Sequence, residues 1–578
     1  MPTPAEALPP TCDLLVVGSG AGGLGSAVVG ASLGLDVVVV EKAARFGGTT
    51  AWSGGWMWVP RNPLAVAAGI VEDLAPVRQY LRHVMGRDAL DPAVEAFLRH
   101  GPAMLQFHLS QGVLGFIDGN TIADFHGDAP GAREGGRSVC AAPFDGRRLG
   151  PHLRRLEPPR DILSFMGMGL AGGADLRHFL RATRSAASLA YVTRRMARHA
   201  RDTLRHGRGT WLMGGNALAG ALLRSALDRG VRLFEDHPVA ALLMDGARVA
   251  GAEVSTAAGT RRIRARRGVV LACGGFPHDD ARKAALFAHA PTGREHHSAA
   301  WPGNTGDGLR LAESAGARLD DALADAAAWA PVSLMPRPDG SAAAFPHLVE
   351  RGKPGLIAVD TRGERFVDEA GDYHRFMRAL FARHAPGQTV AAWLIADHRF
   401  QRRYGLGCSK PWPLPVAPML HSGYLQRAPS LHALARRCGI DTDGLLRTVA
   451  AYNHHARRGD DPAFGRGRSA YDRLQGDPDH DGPNPCVAPI EHPPYYAVRL
   501  VPGSLGTFAG IAADEHGRVL DGEGRPLPGL YAAGNDRAGV MRGHYPSGGI
   551  TLGPAMTFGY ILAHHAAGRP LPMSPPPA

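Results

Sequence analysis

The apolar run Asp13 to Val17 passes directly into Gly18-Ser19-Gly20-Ala21-Gly22-Gly23, and small residues then continue to about Leu33. A second apolar run, Asp36 to Glu41, follows. No other feature constrains the chain so much. Strand, glycine turn, helix and strand form a βαβ unit, and strands this uniformly apolar belong to a parallel sheet buried on both faces. Gly18 permits the tight turn, Gly20 lets an anion approach the backbone, and Gly23 lets helix pack on strand. Free N–H groups and the dipole at the helix start favour a pyrophosphate. Glu41, ending the second strand, suits ribose hydroxyls. The expectation is a Rossmann-type dinucleotide-binding α/β domain.

The next stretch says which dinucleotide. Lys42 leads into Gly47-Gly48-Thr49-Thr50 and Ser53-Gly54-Gly55, a second loop rich in glycine and hydroxyl groups. A ligand that ends at a nicotinamide has no need of it. One whose ribityl chain and flavin run on beyond the adenosine diphosphate half does, so FAD is the expected cofactor.

A chain of 578 residues exceeds what one hydrophobic core sustains, which predicts two domains. Further strands are expected between Val231 and Val254, with a turn at Asp245-Gly246, and from Arg264 to Ala272. From residue 299 to 498 proline, histidine and aromatic residues increase and the βαβ rhythm is lost. That stretch reads as an inserted α+β catalytic (capping) domain, with Gly476 to Pro494 as a connecting loop. Strand signals return at Arg518 to Leu520 and Gly529 to Ala533, and a last helix runs from about Gly553 to Ala567. Residues 1–298 and 499–578 would then be the two parts of one FAD-binding domain with a parallel sheet.

Several function classes are set aside. The net charge of +11 invites nucleic acid, but no zinc-finger, RNP or basic-zipper pattern supports it. Six scattered cysteines without a CxxC pair argue against disulfides, zinc and iron–sulfur clusters, and no metal site is expected. Neither a secretory signal nor an apolar run of membrane-spanning length is legible, so a cytoplasmic setting is expected. Leu176 to Gly209 carries nine arginines with apolar residues at roughly helical spacing. It reads as a basic amphipathic helix on an anionic membrane face, or as a solvated excursion or oligomer contact.

Further landmarks in order are Trp211-Leu-Met-Gly-Gly-Asn216, Leu271-Ala-Cys-Gly-Gly-Phe276, Gly303-Asn-Thr-Gly-Asp-Gly308, Gly363 to Glu369, Tyr531-Ala-Ala-Gly-Asn535 and Tyr545-Pro-Ser-Gly-Gly549 to Pro554. In these the chain resembles the fumarate reductase/succinate dehydrogenase flavoprotein superfamily, and within it the 3-ketosteroid Δ1-dehydrogenases. The resemblance adds to the cofactor contacts Ala21, Gly22, Lys42, Gly48, Thr49, Thr50, Ser53, Gly54 and Gly55. From later in the chain it adds Val239, Gly275, Asn304, Asp307, Gly534, Asn535, Gly549 and Leu552. Asn304, Thr305 and Asp307 equally suit a domain junction. Covalent flavin in the superfamily needs a histidine where Gly48 stands, so the FAD is expected to be non-covalent.

Fumarate reductases resemble one another in an arginine acid at the position of Tyr373, and without it a dicarboxylate pocket lacks its proton donor. The ketosteroid enzymes have tyrosine there. By that resemblance Tyr545 and the Gly549 N–H hydrogen-bond a C3 ketone, Tyr373 removes a C2 proton, and a hydride leaves C1 for flavin N5. A phenol is a weak base near neutral pH, so the neighbourhood of Tyr373 is expected to depress its pKa. One departure stands out. In Ile122-Ala-Asp124-Phe125-His126, Phe125 takes the place of a family tyrosine, or the register slips by one and His126 faces the site. The implied substrate is a 3-ketosteroid, with an external acceptor such as a quinone. The alternatives are Δ4-(5α)-dehydrogenation, an enone or fumarate-type reductase, and a flavin-binding protein whose chemistry has been lost.

Overall fold

A computed structural model describes residues 7–170, 174–385 and 387–572. The first strand, β1 (Thr11–Val17), is followed by helix α1 (Ala21–Ser32) and strand β2 (Val37–Val40). Later come β3 (Arg232–Phe234), β4 (Val239–Asp245), β5 (Arg248–Thr256) and β6 (Gly259–Leu271). The chain returns with β7 (Arg518–Leu520) and β8 (Pro526–Ala532). Five strands, in the order β3-β2-β1-β6-β8, pair in parallel, and β7 adds an antiparallel edge beside β8.

β6 belongs to two structures at once, and its sequence explains how. Its first half, through Arg261-Arg262-Ile263-Arg264-Ala265-Arg266, alternates exposed arginine with buried Ile263 and Ala265. That is the pattern of an antiparallel ribbon with one wet face. This half pairs with β5, which in turn pairs with β4. The second half, Val269-Val270-Leu271, is wholly buried between β1 and β8.

Helix α2 (Gly214–Asp228) and the last helix, α3 (Leu552–Ala566), both pack against α1. The approach of α3 is close enough that a Cβ on Gly559 would stand 3.0 Å from the Gly22 carbonyl oxygen.

Between β6 and β7 the chain leaves and re-enters through two neighbouring strands, His297–Ser298 and Gly503–Thr507, which pair in parallel at His297 and Gly503. Ala327–Trp329 adds on the other side of Gly503–Thr507. The excursion carries its own antiparallel sheet, ordered Leu356–Val359, Ala392–Ala396, Tyr495–Leu500, Gln426–Ala428. Helices Leu431–Cys438 and Thr442–Ala456 close one face over a core of Ile357, Ile395, Leu434, Val449 and Ala497. Gly476 to Pro494 has no regular element, as its composition predicts.

The basic segment differs from the expected single helix. It forms two helices, Ala174–Arg181 and Ala186–His206, because Ser185 caps the second by accepting from the Ser188 N–H. The two fold together through His178 stacked on Tyr191 and Asp175 bound by Tyr191 and Arg195. Leu189 and Leu204 point outward, so the apolar residues do not form one buried stripe. Among the described residues no helix is long and apolar enough to cross a membrane.

Candidate active site

The glycine turn after β1 leaves no room for side chains. At Gly18 (φ +100°) a Cβ would lie 2.3 Å from the Ala272 carbonyl oxygen, and at Gly23 it would lie 2.0 Å from that of Gly18. Gly20 caps α1 without a side-chain bond, and Ala21 N–H donates to Thr50 Oγ1 at 2.9 Å. Glu41 braces the turn from below. Its carboxylate accepts from Ser19 N and Oγ (3.0 and 2.7 Å) and from Ala43 N (2.9 Å). His237 N–H donates to the Glu41 carbonyl, which brings Val239, at the start of β4, close to the same corner.

The second loop is tied to the rest of the molecule. Thr49 Oγ1 accepts from Trp301 N and Asn304 Nδ2, each at 2.9 Å. Lys42 pairs with Asp307 and donates to Thr305 Oγ1 at 3.0 Å. Asn304 and Asp307 therefore brace the loop through protein contacts. Gly55 (φ +76°) lies against Gly214, part of the Trp211 to Asn216 landmark, and Gly215 N–H donates to the Ser53 carbonyl. Gly48 (φ +44°) faces open space.

Asp536, which the sequence reading missed, ties the remaining landmarks together. Fully buried, it accepts from Cys273 N (2.6 Å) and Gly275 N (2.9 Å), and a Cβ on Gly308 would meet its carboxylate. Its position directly after Gly534-Asn535 was the available signal. Leu552 opens α3, whose N-cap Thr551 makes no side-chain bond, so a second helix start keeps free donors.

The other group of candidates converges from four parts of the chain. Asp372 caps the helix Tyr373–Ala382 by accepting from Arg375 N, which fixes Tyr373 at its start. The Tyr373 hydroxyl donates to the Tyr545 hydroxyl at 2.8 Å, and both rings are buried. Phe125 lies against both. Its ring stacks on Tyr545 (centroids 5.4 Å, 20° apart) and meets Tyr373 edge-on at 5.5 Å, while its N–H donates to the Pro546 carbonyl. Phe125, rather than His126, is thus the side chain packed on the two phenols. His126 instead hydrogen-bonds the Tyr545 backbone from a half-buried position.

Beneath them Asp124 accepts from Trp58 Nε1 (2.9 Å) and Arg137 Nη1 (2.5 Å), and Arg137 is also paired with Glu72. Gly549 (φ +96°) is pressed against the backbone of Trp56 and Met57, 2.5 Å from Trp56 O for a notional Cβ. Among the described residues its N–H has no acceptor.

The electrostatics contradict one expectation. Burial drives the Tyr373 phenol well above its ordinary range, and Tyr545, Tyr471 and Asp372 add to the shift because each opposes a further negative charge. Burial also pushes Tyr545 up to about 12. Nothing here depresses the Tyr373 pKa.

Two neighbours were not legible in the sequence. Tyr471 packs 4.7 Å from the Phe125 ring, and His374, 5.4 Å from the Tyr545 ring, is held by Trp329 N–H and Asp325. No local motif announces contacts between residues so far apart in the chain. Among the described residues no group of three or more His, Cys, Asp or Glu side chains is placed to hold a metal ion.

A family model described as "FAD binding domain" matches residues 13–552. The chain belongs to this FAD-binding family. Its cradle agrees. Gly18 and Gly23 admit no Cβ, two helix starts keep free donors, and the second loop extends beyond the βαβ turn. The flavoprotein is an FAD-dependent oxidoreductase.

Its relatives include a 4-oxocyclohex-2-ene-1-carboxylate 5-dehydrogenase from Sinomonas cyclohexanicum, 40% identical over 558 residues, 96% of this chain and 94% of that one. A 3-oxosteroid 1-dehydrogenase from Mycobacterium tuberculosis is 38% identical over 567 residues, covering 96% and 98%. The crystal structure of 3-ketosteroid delta1-dehydrogenase from Sterolibacterium denitrificans, in complex with 1,4-androstadiene-3,17-dione, superposes with a TM-score of 0.88. The identity is 35%, over 97% of this chain and all of that one.

Proposed function

We propose that this flavoprotein introduces a carbon–carbon double bond beside a ring ketone, with a 3-ketosteroid as substrate class and C1–C2 as the bond oxidised. The observation that carries the reading is the buried contact of the Tyr373 and Tyr545 phenols, with Tyr545 four residues before Gly549, whose N–H has no acceptor among the described residues. Tyr545 Oη–H and the Gly549 N–H grip the ketone oxygen. Donors fixed in advance stabilise the charge that grows on that oxygen as the neighbouring carbon loses its proton. Tyr373, once ionised, accepts that proton from C2. FAD bound by the glycine cradle supplies the oxidant that takes the hydride from C1. Phe125 keeps water off the pair and holds Tyr545 in plane. In this reading residues 299–498 cover a site built on 1–298 and 499–578. The FAD is held without a covalent bond, and a quinone-type acceptor reoxidises it.

A second reading keeps the chemistry and changes the substrate. The Sinomonas relative at 40% identity is named for a small oxocyclohexene carboxylate, which presents the same C–H bond beside a ketone. Anaerobic mixing of the yellow holoprotein with a 3-keto-4-ene steroid, and separately with 4-oxocyclohex-2-ene-1-carboxylate, distinguishes the two by which compound bleaches the flavin. NMR of the product locates the new double bond, and a 4,5-alkene formed from a saturated ketone would replace the 1,2-assignment with the Δ4-(5α) one. If neither compound bleached the flavin, the ring-ketone reading would fall.

A further inference from the structure

We infer that a cleft separate from the two phenols binds an organic monocarboxylate, with Arg160 as its anchor. The inference goes beyond the oxidation of a ring ketone and does not depend on it. The cleft holds about 560 Å³, room for a small ligand with an apolar body. Trp52 and Pro158-Pro159 form one wall, residues between His278 and Pro302 a second, and Leu334 with Ala342 to Ala344 a third. Neither Tyr373 nor Tyr545 lines it, and neither does any glycine of the nucleotide turn.

Charge is what makes it a site. Arg160, Lys283, Arg294 and Arg337 face the cleft against the carboxyls of Glu157, Asp161 and Asp280. Three of the cations are committed. Lys283 pairs with Asp280 at 2.9 Å, Arg294 with Asp280 at 3.8 Å, and Arg337 with Asp161 at 2.7 Å. Burial favours the neutral form of Glu157, His278, His296 and His297. Arg160 is left over. It is 9% exposed, and no carboxylate lies within ion-pair distance of it among the described residues.

The guanidinium is held in place without being used up. Nη1 donates to the Ala299 carbonyl at 3.0 Å, and Cζ lies 5.2 Å from the centre of the Trp52 ring. His278 Nε2 lies 3.1 Å from the next carbonyl, that of Ala300. The remaining N–H groups of Arg160 are free for a partner. Burial without a counter-ion is costly for a cation, and it pushes the Arg160 pKa down to about 10. A carboxylate meets both needs, because it accepts two parallel hydrogen bonds and supplies the missing charge. Trp52, Leu334 and Ala343 suit the apolar body of such an acid, and one uncompensated cation suits a monoanion.

The test uses the flavin-loaded protein and cyclohexanecarboxylate, which has no ketone to oxidise. Isothermal titration calorimetry should show one binding event in wild type. Arg160→Gln should weaken it by about tenfold or more, and cyclohexanecarboxamide, the same body without the charge, should bind about tenfold more weakly than the acid. Tyr545→Phe should leave the affinity within about twofold of wild type. Arg160 also braces backbone, so Ala342→Trp serves as a second variant. Ala342 is exposed at the rim, and the new indole fills the cleft while Arg160 stays in place. It should abolish binding.

No heat from wild type at millimolar acid would overturn the inference, as would unchanged binding in Ala342→Trp or equal affinity for acid and amide. Affinity lost in Tyr545→Phe and kept in Arg160→Gln would put the acid in the ketone site and overturn it equally. Sulfate bound as tightly as the acid, with the same dependence on Arg160, would reduce the cleft to a general anion site and refute the carboxylate assignment.

Discussion

Arg137 closes on Asp124 inside the protein, and that buried ion pair lies one residue before Phe125. With Glu72 on its other side, the guanidinium holds two acidic strands of loop together and so aims the Phe125 ring at Tyr545. Replacing Arg137 by Ala strands two buried carboxylates. The expected loss is about 3–5 kcal/mol of stability, measured by urea unfolding of the holoprotein. A variant as stable as wild type would mean that the pair contributes nothing net.

Gly18→Ala should give a protein that purifies without flavin. The added Cβ would sit 2.3 Å from the Ala272 carbonyl in a backbone conformation that alanine resists, so the turn beneath the pyrophosphate must open. Gly34→Ala is the matched control, because its φ is +89° but nothing lies within 4 Å of the new carbon. It should cost roughly 1–2 kcal/mol in backbone strain and keep its yellow colour. Absorbance of the two purified proteins decides the matter, and a fully flavinated Gly18→Ala would refute the cradle.

Much of this was readable in advance, and the reasons are physical. The βαβ unit was legible because local hydrophobic period reports directly which faces of a strand are buried, whereas the change of partners inside β6 is seen only in its pairing with β5 and then β8. Tyr373, Tyr545 and Gly549 were legible only through resemblance, and the structure brings the two phenols within 2.8 Å. Tyr471 was not, since its partners are distant in sequence, and Asp536 was passed over although it directly follows the Gly534-Asn535 landmark. The break at Ser185 was missed because arginine periodicity masked a capping residue. The depressed phenol expected at Tyr373 was wrong for a different reason. Burial of a group that must carry charge opposes ionisation, and only a donor or cation in place would reverse it.

The raised Tyr373 pKa sets the pH dependence. In the proposed reaction Tyr373 acts as its phenolate and is protonated near neutrality, so the rate of flavin reduction should climb with pH from about 6 to 9, with a slope of log rate near one. Stopped-flow reduction at saturating ketone measures it. A flat profile over that range would assign the proton to another group.

Acid sensitivity should come from buried histidines. His108 lies inside the helix Pro92–Ser110 with its Nε2 lacking a hydrogen-bond partner among the described residues, and burial lowers its pKa to about 3. The unfolded chain takes up this proton near pH 6.5, before the folded one does. The stability contribution is therefore complete above about pH 6.5 and is lost as pH falls toward 3, at about 1.4 kcal/mol per pH unit. His100 and His289, each lowered to about 4, add to the slope. Urea unfolding at pH 7 and pH 5 should show a smaller loss in His108→Leu than in wild type. Equal losses would remove His108 from the account.

The pairing of β8 with the buried half of β6 carries a cost during translation. When the ribosome has released β1, β2, β3 and β6, the Val269–Leu271 edge has no neighbour on one side. It stays so until the whole excursion has been made and Leu530 emerges. For that interval the nascent chain presents an unpaired, wholly apolar strand, the kind of surface that chaperones bind and that crowded synthesis turns into aggregates. Slowing synthesis of the stretch between Leu271 and Leu530 should therefore lengthen that exposure and lower the yield of folded protein.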